Sequence, residues 1–484
     1  MQYLEAERHS EKSQGGMRRN RMPTDATTSS VSRGSLLGLS CHRHLHFRAG
    51  RLGSAAQGLK LPIPDYARLE NAHWSIGSTS GDAGKQPHRH CSHTVAQRGG
   101  VFSPHVMERR KKTQRCRVLI TPGGSETGSA YPVRTVDGAR GVLMSQSQLL
   151  DTVEAMMRPG KGLLAMDEST PTANRRLAQV GVPQTVEARR AWRELILTTA
   201  GLAESISAAI LYDETIRQSR DDGTPFIRLL QDAGIVPGIK VDAGAKDLAA
   251  FPGEKVTEGL DGLRGRLSEY REMGARFAKW RAVITIGDGV PTRACIEANA
   301  HALARYASLC QEAGLVPIVE PEVLMDGDHR LEQCATTTEA VLHEVFNQLH
   351  RYRVSMEAMI LKPNMVLPGK DSPEKASPEE VADITVSTLL RAVPAAVPGI
   401  AFLSGGQEPE SASTHLSTMN ARWRRRVPWV LTFSFARAIQ QPALSLWKGK
   451  EANKAAAQKA LYQWSGFSGM AREGRYNPDL ERVD

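Results

Sequence analysis

"FAKWRAVITI" (277–286), "PTRACIEANAHALARYASLCQEAG" (291–314) and "LVPIVEPEV" (315–323) follow one another and read as strand, helix, strand. In the middle stretch Ile296, Ala300, Leu303, Ala307 and Cys310 recur at steps of 4, 3, 4 and 3, which is one apolar stripe along a helix. Pro291 stands near its start and Gly314 just past its end, the usual punctuation of a helix. The flanking runs are apolar almost without interruption instead of alternating, as expected of strands covered on both faces in a parallel sheet.

The same texture extends in both directions. "KGLLAMDES" (161–169), "ISAAILYDE" (206–214), "GIVPGIKVD" (234–242), "AMILKPN" (358–364), "GIAFLSGGQ" (399–407) and "WVLTFSFAR" (429–437) are further short apolar runs that end in polar residues. Eight strands alternating with helix-length segments predict an α/β fold, a single (β/α)8 TIM barrel over residues 144–484. No glycine-rich fingerprint follows the first run, which speaks against an open doubly wound sheet.

Residues 1–143 differ. They hold 22 Lys+Arg against 10 Asp+Glu, leaving 40 against 42 for the rest of a chain whose net charge is +10. The basic excess therefore belongs to the extension and argues for no nucleic-acid partner of the barrel. Stretches such as "SCHRHLHFRAGR" carry little apolar surface and no periodicity, so this segment is expected to be a disordered basic extension. A targeting segment, a basic tail for an acidic partner, and an upstream read-through with translation starting at Met144 are the competing explanations. The six cysteines show no paired spacing, and no apolar run approaches the ~18 residues of a membrane span. No membrane association is expected.

The ends of the apolar runs supply a list of reactive groups: Asp167, Lys240, Lys279, Glu320 with Glu322, Lys362, Ser404 and Arg437. From Lys240 onward their intervals are 39, 41, 42, 42 and 33 residues, about one strand–helix unit each, so they should meet at one barrel mouth. A ring of structural ion pairs is the plainer explanation. Lys362, inside the apolar "AMILKPNMV" (358–366), points instead to amine catalysis: a lysine made nucleophilic by burial and by a nearby charge such as Lys279. Its iminium with a carbonyl substrate would be an electron sink for cleavage of the adjacent carbon–carbon bond. Glu320 with Glu322 suits the proton transfers, and Asp167 could orient a substrate hydroxyl or take its proton.

Phosphate is the expected handle. Ser404, the backbone N–H groups of Gly405 and Gly406, Ser434 and Arg437 follow the seventh and eighth strands, where this fold usually holds phosphate. Lys240, Arg176, Ser169 and Thr172 form a second cluster, so a bisphosphorylated sugar is the expected ligand. Zinc chemistry would need histidine ligands, yet of the barrel's histidines only His329 lies near a strand end. Neither a metal nor a cofactor is expected.

Residues 144 to about 478 resemble class I fructose-1,6-bisphosphate aldolases in "GKGLLAMDEST", "GIKVD", "GARFAKWRAV", "LVPIVEPEVLMDGDH", "LKPNMVLPG", "FLSGGQ" and "LTFSFARA". The resemblance implies metal-independent, reversible cleavage of fructose 1,6-bisphosphate to dihydroxyacetone phosphate and glyceraldehyde 3-phosphate, as in glycolysis and gluconeogenesis. It places the Schiff base on Lys362, the acid/base on Glu320, and the supporting roles on Asp167 and Lys279. It also carries the phosphate contacts to the residues named above and implies a homotetramer. Alternatives are a catalytically silent scaffold, or a Schiff-base aldolase for another sugar phosphate such as sedoheptulose 1,7-bisphosphate. Departures from the family are Pro171 and Ala436 where glycine is usual, and no terminal tyrosine, Tyr476 lying short of the end. The pattern is closer to bacterial members, which implies a cytoplasmic location, with a plastid as the alternative if the extension is a transit peptide.

Overall fold

The eight apolar runs all become strands, and they close on themselves. The computed structural model describes residues 136–482, with side chains from 146 to 481. The expectations for residues 1–135, and with them most of the basic extension, lie outside the described residues. The strands are β1 (Gly162–Ala165), β2 (Ile206–Leu211), β3 (Val236–Lys240), β4 (Gly244–Asp247), β5 (Lys255–Glu258), β6 (Phe277–Ile284), β7 (Val316–Val323), β8 (Ile360–Leu361), β9 (Gly399–Phe402) and β10 (Val430–Phe435). β1-β10-β9-β8-β7-β6-β3-β2 form the closed barrel, and β1 pairs in parallel with both β2 and β10. The sequence reading did not anticipate β4 and β5, an antiparallel hairpin inserted between β3 and β6.

Both faces of the strands are buried, which explains their unbroken hydrophobicity. Inside the barrel, Leu163, Ala208, Ile210, Phe277, Val316, Ile318 and Ile360 pack with Leu149, Val153 and Met156. Those last three lie on helix Val136–Met156, so its C-terminal half closes the barrel at the strands' N-terminal ends. Gly238 makes room for this layer: a Cβ there would stand 2.2 Å from the ring of Phe277. On the outer side Trp280, Val319, Leu361 and Phe402 meet the surrounding helices.

The predicted helix is Arg293–Glu312, with Thr292 as its N-cap accepting from the Cys295 N–H at 3.2 Å. Of the predicted stripe, Ala300, Leu303, Ala307 and Cys310 are buried, while Ile296 is only partly so. The hairpin is pinned to this helix. Glu254 accepts from the Thr292 N–H and hydroxyl at 2.7 and 2.6 Å, and Asn299 donates to the Lys255 carbonyl at 2.8 Å. The start of the hairpin is thereby held as one wall of the barrel mouth, where Ala243, Gly244 and Ala245 line the cavity.

Candidate active site

A cavity of about 780 Å³ opens at the C-terminal ends of the strands. All fourteen residues singled out from the sequence line it. They reach it differently. Lys362 directly follows the short β8, and its N–H donates to the Val319 carbonyl at 2.8 Å, continuing the ladder. Lys279 and Glu320 stand within β6 and β7, whose eight-residue pairing runs past them and forms a wall of the site.

Glu320, on the strand between those of the two lysines, touches both. Its Oε1 lies 3.1 Å from Lys362 Nζ and its Oε2 2.7 Å from Lys279 Nζ. Lys279 also donates to Asp167 Oδ2 at 2.9 Å. All four side chains are buried, with relative exposures of 3% for Lys362, 4% for Lys279, 2% for Glu320 and 8% for Asp167. Burial alone would favour their neutral forms. For Asp167 it is outweighed by the Lys279 ammonium, with Lys362 and Lys240 adding to it, so the carboxyl is held well below its ordinary value. Burial likewise opposes ionisation of Glu320, but Lys279, Lys362 and Arg281 pull it down on balance. Burial works against the Lys279 charge, and Asp167 and Glu320 raise it overall. The result is a buried ammonium between two carboxylates, with a second amine on the far oxygen of one of them.

Glu322 is paired with Arg281, and Lys240 with Asp242. Arg281 and Asp242 were missed in the sequence, although each stands two residues beyond a chosen lysine and so shares its strand face. Arg176 is tied to Glu168, another residue not singled out; Glu168 also accepts from Arg193 at 2.5 Å and from Gln440 at 2.9 Å. No periodicity marks Glu168, because it lies in the loop after β1. Ser169 donates to the Thr172 hydroxyl at 3.3 Å.

The loop after β9 turns through Gly405 and Gly406 at φ of 57° and 100°, a left-handed path that glycine takes without strain. At Gly406 a Cβ would also come within 3.1 Å of an Arg437 nitrogen. Ser434 at the end of β10 is 1% exposed, and its hydroxyl has no hydrogen-bond partner among the described residues. A buried, unpaired hydroxyl on the cavity wall is a binding group awaiting an acceptor or donor. Burial pulls Arg437 below its ordinary value and Arg176 pulls it further, against Glu322, Glu408 and Asp326. Arg176 is therefore close enough to Arg437 to repel it.

The two departures from the family pattern are structurally mild. Pro171 is the second residue of helix Thr170–Gln179, where no N–H is required. Ala436 caps helix Arg437–Trp447 at φ −109°, an ordinary conformation for alanine. Tyr476 is buried against Phe467, with its carbonyl accepting from Ser417 at 2.9 Å. Nearby Arg472 binds the carbonyls of Met157, Arg158 and Lys161, just ahead of β1, so this tail lies at the opposite end of the barrel from Lys362. The tyrosine beside the reactive groups is Tyr212, following β2. Among the described residues, no three His, Cys, Asp or Glu side chains gather as metal ligands, and His329 is buried with both ring nitrogens unpartnered. No helix among them is long and apolar enough to cross a membrane.

The family model for fructose-bisphosphate aldolase class-I matches residues 148–484. A Xanthomonas campestris protein named "Probable fructose-bisphosphate aldolase class 1" is 56% identical over 334 residues, covering 69% of this chain and 99% of that one. The cytosolic fructose-bisphosphate aldolase 6 of Arabidopsis thaliana is 50% identical over 323 residues, 67% of this chain and 90% of its own. The solved structure of Plasmodium falciparum fructose-bisphosphate aldolase, in complex with TRAP and a small-molecule inhibitor, superposes with a TM-score of 0.68 at 44% identity, covering 69% and 96% of the two chains. The chain belongs to the class I fructose-bisphosphate aldolases, lyases that work through a Schiff base.

Proposed function

We propose that Lys362 is the Schiff-base lysine and that its neighbours divide the remaining work. The observation that carries this is the buried contact of Lys362 Nζ with Glu320 Oε1 at 3.1 Å, on the wall of a cavity rich in cations. Glu320, held ionised, takes a proton from the Lys362 ammonium, and the free amine adds to C2 of fructose 1,6-bisphosphate. The same carboxyl then protonates the carbinolamine hydroxyl, which leaves as water and gives the iminium. Asp167 accepts the C4 hydroxyl proton as the C3–C4 bond breaks, and the bond electrons move into the iminium to give an enamine. Glyceraldehyde 3-phosphate departs. Protonation at C3 and hydrolysis release dihydroxyacetone phosphate and restore Lys362. Lys279 keeps both carboxylates ionised between these steps.

Gly405, Gly406, Ser434 and Arg437, with Ser404, take the C1 phosphate, because β9 lies next to β8, the strand of Lys362, with β10 one strand beyond, and C1 is bonded to the reacting carbon. Lys240, Ser169, Thr172 and Arg176 face the C6 phosphate. The proposal extends to a cytoplasmic homotetramer whose catalytic part is the barrel of residues 144–484; light scattering that gave a monomer would refute the tetramer. The site is tested by incubating the protein with dihydroxyacetone phosphate, reducing with borohydride, and mapping the adduct by mass spectrometry. A three-carbon phosphate adduct on Lys362 is expected. An adduct on Lys279 or Lys240, or none on folded protein, would overturn the assignment.

A further inference from the structure

Eight cationic side chains line the cavity, and five of them are already paired with carboxylates: Arg176, Lys240, Lys279, Arg281 and Lys362. Arg175, Lys370 and Arg437 have no ion-pair partner among the described residues. Arg437 has a role under the reading above, and Arg175 sits on helix Thr170–Gln179, which follows β1 and carries Thr172 and Arg176 of the second phosphate cluster. Lys370 has none.

Its side chain is exposed, but its backbone is fixed. The N–H groups of Gly369, Lys370 and Asp371 donate to the carbonyls of His329, Met325 and Gly327 at 2.8, 2.7 and 2.9 Å. Gly369 lies so close to the loop after β7 that a Cβ would stand 2.3 Å from the Gly327 carbonyl oxygen. These contacts clamp the loop after β8 onto the loop after β7. The acceptor of the Lys370 N–H is Met325, whose methyl lies 3.4 Å from where a Cβ at Gly406 would be. Lys370 is thus carried on the same rim as Gly406 and Arg437, with the Met325 side chain lying between. Asp326, an unpaired carboxylate among the described residues, lines the same rim and acts on Arg437. A phosphate dianion entering there meets one fixed negative charge beside Arg437, and the nearby Arg176 is already paired with Glu168.

We propose that Lys370 is a further substrate-binding residue, whose ammonium joins Arg437 on the phosphate held by Gly405, Gly406 and Ser434. The proposal rests on the Schiff-base reading. The one-phosphate probe is dihydroxyacetone phosphate, which fills only the subsite next to Lys362. Its concentration dependence in borohydride trapping is measured for the native protein, Lys370→Met, Lys370→Arg and Arg175→Met. Loss of one charge-assisted contact predicts about a tenfold rise in the half-saturating concentration for Lys370→Met, with the same adduct on Lys362 at saturation. Lys370→Arg is expected within about threefold of native, and Arg175→Met unchanged, because its helix carries the groups assigned to the other phosphate. A Lys370→Met value within about twofold of native overturns the proposal. So does an Arg175→Met shift as large as that of Lys370→Met, which would mean a general field in place of a contact. Failure of the Schiff-base reading is distinct from either, since the native protein itself would then give no Lys362 adduct.

Discussion

Replacing Lys279 by methionine removes the one cation that bridges Asp167 and Glu320. At contacts of 2.9 and 2.7 Å, each attraction amounts to about 6 kcal/mol at an effective dielectric of ~20 before any desolvation is counted. The net cost is smaller, because the buried ammonium also loses its hydration; removal of one partner from a buried pair typically costs about 3–5 kcal/mol. The variant leaves two buried carboxylates with Lys362 as their nearest remaining counter-charge, so one of them should take up a proton near neutral pH. Equilibrium urea unfolding of Lys279→Met is therefore expected to show a loss of about 3–5 kcal/mol at pH 7. At pH 5 the loss should be at least about 1 kcal/mol smaller, since protonation there neutralises an orphaned carboxylate. Adding Asp167→Asn should recover part of the loss at pH 7 and remove most of the pH dependence. A loss below about 1 kcal/mol, or one equal at both pH values, would refute the picture of a cation holding two carboxylates ionised.

Asp167, Glu168 and Glu320 all have native values below their ordinary ones, because the basic partners outweigh burial. Their contribution to stability is full above the unfolded-state values near ~4 and is lost as pH falls from there through the depressed native values. An unfolding free energy that stayed flat from pH 5 to pH 2.5 would contradict this. Arg472, pulled down to about 10 by burial, donates to the carbonyls of Met157, Arg158 and Lys161. Arg472→Met takes the donor from the Met157 carbonyl and one of two donors from those of Arg158 and Lys161, and should cost about 1–3 kcal/mol in urea unfolding while Lys362 is still trapped by dihydroxyacetone phosphate. Gly238→Ala would place a methyl 2.2 Å from the Phe277 ring and should destabilise by about 1–3 kcal/mol or more. Gly265→Ala, on helix Leu263–Met273 with nothing within 4 Å, should instead stabilise by about 0.5–1 kcal/mol, so the urea midpoints of the two variants should move in opposite directions.

Much of this architecture is legible in the sequence because a parallel barrel buries both faces of each strand. Eight apolar runs of the right length, separated by helix-length segments, leave few other ways to hide so much hydrophobic surface. The reactive residues are legible for a related reason: a charge at the end of an apolar run is costly unless it has work or a partner there. Lys362, Lys240 and Asp167 stand out on that ground. Hairpin β4–β5 does not, since Lys255, Glu258 and Asp247 give it the polar texture of a loop and it is fixed from outside by Thr292 and Asn299.

The sequence alone determined the barrel, the order of its strands along the chain and fourteen of the residues that meet at its mouth, because strand periodicity and spacing are local properties that one chain carries in full. Tertiary structure alone decided which partner each charge has. Glu320 joins Lys279 to Lys362, Glu168 holds Arg176, and Asp242 holds Lys240, while Arg175, Lys370 and Arg437 are left without a carboxylate among the described residues. Apart from Lys240 and Asp242, two residues apart, these pairs join different elements, so they depend on how closed strands and clamped loops bring the side chains together, which spacing along the chain does not record.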